Sequence, residues 1–344
     1  MMKNPDGFFQ QDAGLKSYNT FGIDEKSRFF CRVSKKEELL SGLEFARREE
    51  LPVLILGGGS NILLTRKFDG LCIRLENTGI RKISESDQQV TISVAAGENW
   101  HKFVMHCLDH GWYGLENLSL IPGSVGAAPM QNIGAYGVEA GKFIESILYY
   151  HTEKHQWEEI SGTECGFGYR DSIFKKELKG KAIIWEVRFR LSLIPELQLG
   201  YGDVEKTLVN HGVAMPGPKD VSKAVIEIRR SKLPDPEKLG NAGSFFKNPV
   251  IEREHFEKLK HQWPEIPSYP AEEGKVKVPA GWLIEMAGWK GMRRGSCGVH
   301  EKQALVIVNY LGATGQDILS LAGDIISDIL QKTGIELVPE VNIL

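Results

Sequence analysis

Cysteine is too scarce and too scattered in this sequence to staple a fold. The five residues, Cys31, Cys72, Cys107, Cys165 and Cys297, are odd in number and contain no C-x-x-C pair, which argues against a disulfide framework, a zinc site or a dithiol redox centre. Reduced, mostly buried thiols are expected, and no metal. Long apolar runs are also missing. The longest pieces, such as Leu51 to Leu56, are broken by Pro52 and fall far short of the roughly 20 residues that cross a bilayer. Near the start, Lys3, Asn4, Pro5 and Asp6 stand where a secretory signal needs an apolar stretch, so export is not expected. Excess charge is absent as well: the net charge of −3 offers no basic footprint for nucleic acid. No internal repeat and no low-complexity stretch is found. What remains is a soluble protein of the cytoplasm.

The balance of 42% hydrophobic and 25% charged residues is that of an ordinary globular protein. At 344 residues the chain exceeds the usual single-core size of about 250 to 300, which favours two or three domains. Phe29 to Val33 reads as a strand, and Ser34 with Glu37 as a capping box opening a helix whose Leu39, Leu40, Leu43 and Ala46 recur at helical spacing. That helix must end before Pro52. Val53 to Leu56 is a second strand, completing one βαβ unit. Leu71 to Leu75 and Val90 to Ala95 read as strands, and Trp100 to His110 as a helix stopped by Gly111. Three further strands, Ile144 to His151, Gln156 to Ile160 and Ala182 to Ser192, suggest antiparallel sheet. The turn-rich Leu193 to Gly202 marks a boundary. Beyond it the pattern predicts helices at Asp220 to Lys232, Glu252 to Lys260, Ala280 to Met286 and Gln316 to Lys332. It also predicts strands at Ala304 to Tyr310 and Glu336 to Val341. The expected division is 1–75, 76–218 and 219–344.

Two glycine-rich segments carry the chemistry. A strand runs directly into Gly57, Gly58, Gly59, Ser60 and Asn61, where glycines let backbone N–H groups approach an anion and Ser60 and Asn61 add side-chain donors. Alone, the pentapeptide is also a plausible tight turn. It is not the G-x-G-x-x-G of dehydrogenases, since Ile62 to Lys67 follows, nor the G-x-x-x-x-G-K-[ST] loop of ATP- and GTP-binding proteins. The second segment, Ile121 to Gly137, places four glycines and two prolines among apolar residues. It suits neither a regular helix nor an exposed loop, and fits a wall around a flat, partly apolar ligand.

These segments, together with Phe167 to Arg170 and Asn241 to Pro249, resemble the UDP-N-acetylenolpyruvoylglucosamine reductase family of bacterial cell-wall synthesis, in matching order from about Tyr18 to Glu340. The tyrosine loop around Tyr201 places it with the family's longer type. The resemblance implies an α+β fold: an FAD-binding fold of the vanillyl-alcohol-oxidase (PCMH) type in two subdomains, plus a C-terminal α/β substrate-binding domain. It implies non-covalent FAD, with NADPH as electron donor and UDP-N-acetylglucosamine enolpyruvate as substrate. Reduced flavin N5 delivers hydride to the vinyl carbon, giving UDP-N-acetylmuramate in peptidoglycan precursor synthesis. Asn19 and Thr20, the pentapeptide Gly57, Gly58, Gly59, Ser60 and Asn61, and Pro122, Gly123, Ser124, Gly126, Ala127, Gln131, Asn132, Gly134, Ala135, Tyr136 and Gly137 are implied to hold FAD.

By the same resemblance Ser244 is the proton donor. Its hydroxyl is a weak acid, made plausible by a strongly basic carbanionic intermediate. Arg170 is implied to stabilise the enolate, since a planar guanidinium suits two carboxylate oxygens; the plainer alternative is a surface ion pair with Asp171. Glu340 is implied to orient the substrate carboxylate, although only four residues follow it and such a terminus frays easily. Tyr201, on a loop that closes over the diphosphate, Arg229, Lys232, Asn248, Lys290 and Gln303 are implied to bind the sugar nucleotide. A related oxidase would often attach FAD through a histidine in the glycine-rich loop, and none lies between Leu51 and Arg66. Another non-covalent FAD oxidoreductase of the superfamily is the alternative, and a nucleotide-binding module without catalysis is a further one. A monomer is expected.

Overall fold

A computed structural model of the protein describes residues 7–201 and 203–344. Lys3 to Asp6, read above against export, and Gly202 of the tyrosine loop lie outside the described residues. The chain forms two compact units, one of Met1–Gln11, Arg28–Gly58 and Asp69–Ser231, the other of Asp12–Ser27, Gly59–Phe68 and Lys232–Leu344. Neither boundary of the linear division at 75 and 218 separates them.

The chain opens with β1 (Gln10–Gly14) and β2 (Lys26–Val33), then α1 (Lys36–Arg48). The carboxylate of Glu38, not Glu37, accepts the Ser34 N–H at 2.7 Å and the Lys35 N–H at 3.1 Å. The helix starts a residue later than expected, so its third position falls on Glu38. Its apolar face buries Leu39, Phe45 and Ala46. After β3 (Val53–Leu56) the chain enters the other unit for β4 (Ile62–Leu63) and returns in β5 (Phe68–Leu75). The sheet order is β1-β2-β5-β3, with β3 parallel to β5. The expected βαβ crossover therefore skips one lane, which β5 fills.

A second sheet follows from β6 (Ile80–Glu85) and β7 (Gln89–Ala95), then α2 (Trp100–Asp109), the short pair β8 (Gly134–Ala135) and β9 (Val138–Glu139), and β10 (Ile144–His151), β11 (Gln156–Ser161) and β12 (Ala182–Ser192). Its order is β11-β10-β12-β7-β6, antiparallel throughout, with Val187 of β12 opposite both Ile147 and Val94. Alternation sends these residues to one buried face. Asn99 caps α2 by accepting the Lys102 N–H at 3.0 Å, and Gly111, at φ 73°, ends it as expected. Two helices, α3 (Val204–Asn210) and α4 (Pro218–Lys232), come next. The turn-rich Leu193 to Gly202 does not separate them from the first unit. Val204, Leu208, Val221, Val225 and Ile228 bury against Tyr136, Leu197 and Leu199, and that apolar contact keeps both helices with the flavin-type sheets.

In the second unit, β13 (Gly240–Ser244), β14 (Val250–Glu252), α5 (Arg253–Gln262), β15 (Tyr269–Pro270), β16 (Lys275–Lys277), α6 (Ala280–Met286), β17 (Arg293–Arg294), β18 (Cys297–Val299), β19 (Val306–Asn309), α7 (Gly315–Thr333) and β20 (Asn342–Ile343) follow in order. The sheet β13-β19-β18-β17 packs on α7, whose Ile318, Leu321, Ile325 and Ile329 are buried at helical spacing. The strand expected at Glu336 to Val341 is not regular. It makes one isolated bridge, Phe246 with Pro339, because a proline has no N–H to give a ladder; β20 starts only afterwards and pairs in parallel with β4. All five cysteines are free and buried, and burial raises the Cys31 thiol to about 12, the behaviour of inert filler.

Candidate active site

The two glycine-rich segments touch backbone to backbone. A Cβ on Gly58 would lie 2.6 Å from the Gly123 Cα, and one on Gly57 would strike the Ser124 hydroxyl. Gly59 sits at φ 63°, where a side chain would also overlap the Tyr18 carbonyl, so only glycine fits. Thr20 N–H donates to the Gly59 carbonyl at 3.1 Å, pressing the Asn19–Thr20 loop onto the turn. Among the described residues the N–H groups of Gly58 and Gly59 donate to no backbone acceptor. A strand end without Cβ atoms, whose N–H groups are not taken by backbone acceptors, has the donor chemistry that the pyrophosphate of FAD needs.

The second segment behaves differently. Val125 N–H donates to Glu98 O at 2.8 Å, Gly126 N–H to Ala96 O at 2.9 Å, and Ala127 N–H to Ser124 O at 3.0 Å; Val125 and Ala128 are core residues. Asn132 is buried, donating to Glu139 Oε2 at 2.8 Å and the Gly168 carbonyl at 3.0 Å and accepting the Gly141 N–H at 2.8 Å. Asn19 is likewise engaged, donating to Leu15 O and Ile23 O and accepting the Ile23 N–H. Both amides, implied as cofactor contacts, have their side-chain donors committed to acceptors within the protein. Gly123, Gln131 and Gly134 to Tyr136 are half-buried and Pro122, Ala127 and Gly137 exposed, forming the accessible rim of this wall.

Asn132 links that wall to Arg170. Gly168 and Asp171 exchange backbone hydrogen bonds of 3.1 and 3.2 Å, a tight turn that holds Arg170 at φ 55°. Its Nη2 donates to the Gly134 carbonyl at 2.8 Å. The Asp171 carboxylate pairs with Lys176, which holds it below the usual carboxylate range. The ion pair of Arg170 with Asp171 considered from the sequence is not formed.

In the second unit, Ser244 ends β13 beside an irregularity in the ladder between Asn241 and Ser244. Asn241 makes it: its Oδ1 accepts the Gly243 N–H at 2.9 Å, and its Nδ2 donates to Leu239 O at 2.8 Å. Immediately after Ser244, the Phe245 carbonyl accepts the Glu340 N–H at 2.7 Å and Lys247 N–H donates to Val338 O at 2.9 Å. Glu340 is thereby placed across from the residue that follows Ser244. Its end of the chain is anchored, because Leu344 N–H donates to Leu63 O at 2.9 Å and Thr65 N–H to Leu344 O at 2.8 Å.

The implied sugar-nucleotide residues fall in both units. Tyr201 is half-exposed, packed against Gly137. Arg229, on α4, is half-buried; its Nε has no hydrogen-bond partner among the described residues, and burial pulls its guanidinium below its ordinary value. In the second unit Lys232 is exposed, Lys290 pairs with Glu285 at 2.7 Å, Asn248 Oδ1 accepts the Ala280 N–H opening α6 at 3.0 Å, and Gln303 accepts the Leu305 N–H at 3.4 Å. The motif Asn241 to Pro249 gives Asn241 no role by itself, although its Asn-x-Gly spacing is the signal of the bend it makes; Asn342 carries no such signal.

Residues 27–152 match a family described as FAD binding domain, and residues 235–344 one described as UDP-N-acetylenolpyruvoylglucosamine reductase, C-terminal domain. The chain is 50% identical to the UDP-N-acetylenolpyruvoylglucosamine reductase of Chromobacterium violaceum, over 98% of this chain and 99% of that protein. It is 46% identical to the Pseudomonas aeruginosa enzyme of the same name, over 97% and 98%. The crystal structure of the Thermus caldophilus enzyme superposes with a TM-score of 0.65 at 24% identity, covering 98% of this chain and 99% of that one. With this agreement across nearly its whole length, the chain belongs to the UDP-N-acetylenolpyruvoylglucosamine reductase family.

Proposed function

We propose how this chain's residues divide the work of its family's reaction, the NADPH-dependent, FAD-mediated reduction of UDP-N-acetylglucosamine enolpyruvate to UDP-N-acetylmuramate in peptidoglycan precursor synthesis. Gly58, Gly59 and Ser60 hold the cofactor's pyrophosphate, and the rim from Gly123 to Tyr136 lines its flat part. When bound, FAD supplies the two-electron relay between NADPH and the substrate double bond. Arg170, aimed by its turn and its bond to Gly134, neutralises charge on the substrate carboxylate as the double bond is reduced. Glu340 orients that carboxylate. The Ser244 hydroxyl gives its proton to the carbon next to the carboxylate, on one face only, and is reprotonated from solvent.

The observation that supports this reading is the backbone pairing of Glu340 with Phe245, which ties the segment of Glu340 to the residue next to Ser244 where sequence alone left it near a loose end. Arg229 supports the nucleotide half: a half-buried cation whose Nε lacks a protein partner suits a diphosphate. For Ser244→Ala, bleaching of the flavin by NADPH should stay within about twofold of the parent, while steady-state NADPH oxidation with saturating substrate falls about 100- to 10,000-fold. Unchanged turnover would remove Ser244 from the role.

Both NADPH and nucleotide-activated sugars are cytoplasmic pools, and every residue given a role above lies in one chain, so the protein is read as a cytoplasmic monomer. Among the described residues no helix is long and apolar enough to cross a membrane. Sedimentation should give one species of 38.4 kDa; a concentration-independent dimer would contradict the monomer.

A further inference from the structure

Glu340 is gripped on both sides of its peptide unit. Its N–H goes to Phe245 O at 2.7 Å, and its carbonyl accepts the Asn61 side-chain Nδ2–H at 3.2 Å. Two residues on, Asn342 returns the contact: its backbone N–H and its side-chain Nδ2 both donate to the Asn61 carbonyl, at 3.1 and 2.9 Å. Asn61 is the last residue of the glycine-rich pentapeptide, and the parallel register of Asn342 with Ile62 and Ile343 with Leu63 carries the pairing forward to the chain end. All these residues belong to one unit.

We propose that Asn342 is a positioning residue for Glu340, closing a reciprocal clamp with Asn61 that sets the direction of the Glu340 carboxylate by reference to the flavin-binding loop. The inference rests on the role given to Glu340 above. Two donors from one residue converge on one carbonyl, so the tail is fixed in rotation as well as in distance. A single bond at that point would leave the backbone free to swing about it. Asn342 is exposed, so its side-chain bond, in competition with water, adds little to overall stability. A reacting group misplaced by about 1 Å, by contrast, costs on the order of 100-fold in rate. The clamp thus acts on rate far more than on folding, and it ties order in the pentapeptide to order at Glu340.

Stopped-flow on the FAD-loaded protein without oxygen tests it. In Asn342→Asp, which keeps the shape and loses the Nδ2 donor, and in Asn342→Ala, return of flavin absorbance on adding substrate should slow about 10- to 100-fold, with bleaching by NADPH affected far less. Asn342→Gln, which keeps an amide, should recover part of the loss. Hydrogen exchange of the peptide covering 338–344 gives a readout independent of turnover: FAD should slow it in the parent and not in Asn342→Ala. Equal slowing of both half-reactions, or an FAD effect on exchange that survives in Asn342→Ala, would overturn the clamp. Glu340→Gln separates the two ideas. If it reoxidises at the parental rate, the Glu340 role itself fails; if it is slow while Asn342→Ala is normal, only the clamp fails.

Discussion

The two glycine-rich segments look alike in composition and work in opposite ways. In the first, Gly58 and Gly59 are required because neighbouring backbone occupies the space of a Cβ, and their N–H groups remain turned away from backbone acceptors. In the second, the N–H groups of Val125 to Ala128 and the amide of Asn132 are taken up by the protein itself, from Val125 on Glu98 O to Asn132 on Gly168 O. On the proposed reading, one segment is a cradle and the other a wall. Glycine content by itself does not distinguish a loop that binds from a loop that packs; where the polar groups point does.

That contrast can be broken by substitution. The largest effect is expected for Gly59→Ala, which adds an overlap with the Tyr18 carbonyl to a left-handed backbone that costs about 1–2 kcal/mol for a residue with a Cβ. The purified protein should carry little or no flavin, read as the ratio of absorbance at flavin and protein wavelengths; a fully yellow Gly59→Ala protein would mean the turn is not the cradle. A smaller and different effect is expected in the wall. Asn132→Ala leaves the Gly141 N–H and the Gly168 carbonyl without their buried partner, a loss of about 2–6 kcal/mol at about 1–3 kcal/mol per unsatisfied group. Urea unfolding should report it while the flavin stays bound. Loss of flavin without loss of stability would reverse the assignment of the two segments.

Much of the fold was legible in the sequence because it is written in local periodicity. Val53 to Leu56, Ile144 to His151, Ala182 to Ser192 and Ala280 to Met286 are observed over those bounds. Failures came where a local signal was ambiguous or a distant partner decided. The turns between Leu193 and Gly202 resembled a boundary, yet α3 and α4 remain with the first unit through Tyr136 and Leu197. Pro339 sits in an apolar run that otherwise reads as a strand, but it can give no ladder hydrogen bond.

The candidate site divides in the same manner. Residue types and their order were enough to point to an anion-binding turn and, by resemblance, to Arg170, Ser244 and Glu340. They could not reveal that Asn19 and Asn132 have their amide donors committed to backbone and side-chain acceptors within the protein.

The sequence by itself determined most of the stretches that become helix or strand, since these depend on neighbours within a few residues, and which family the chain resembles; that Gly59 must lack a side chain came from its left-handed backbone and the Tyr18 carbonyl 41 positions away. Only the tertiary structure decided that Glu340 lies across from Phe245 and that Asn61 grips it from 279 positions away. A hydrogen bond between residues so distant leaves no periodic trace, because its partners are brought together by burial of the apolar faces around them rather than by any preference of their own.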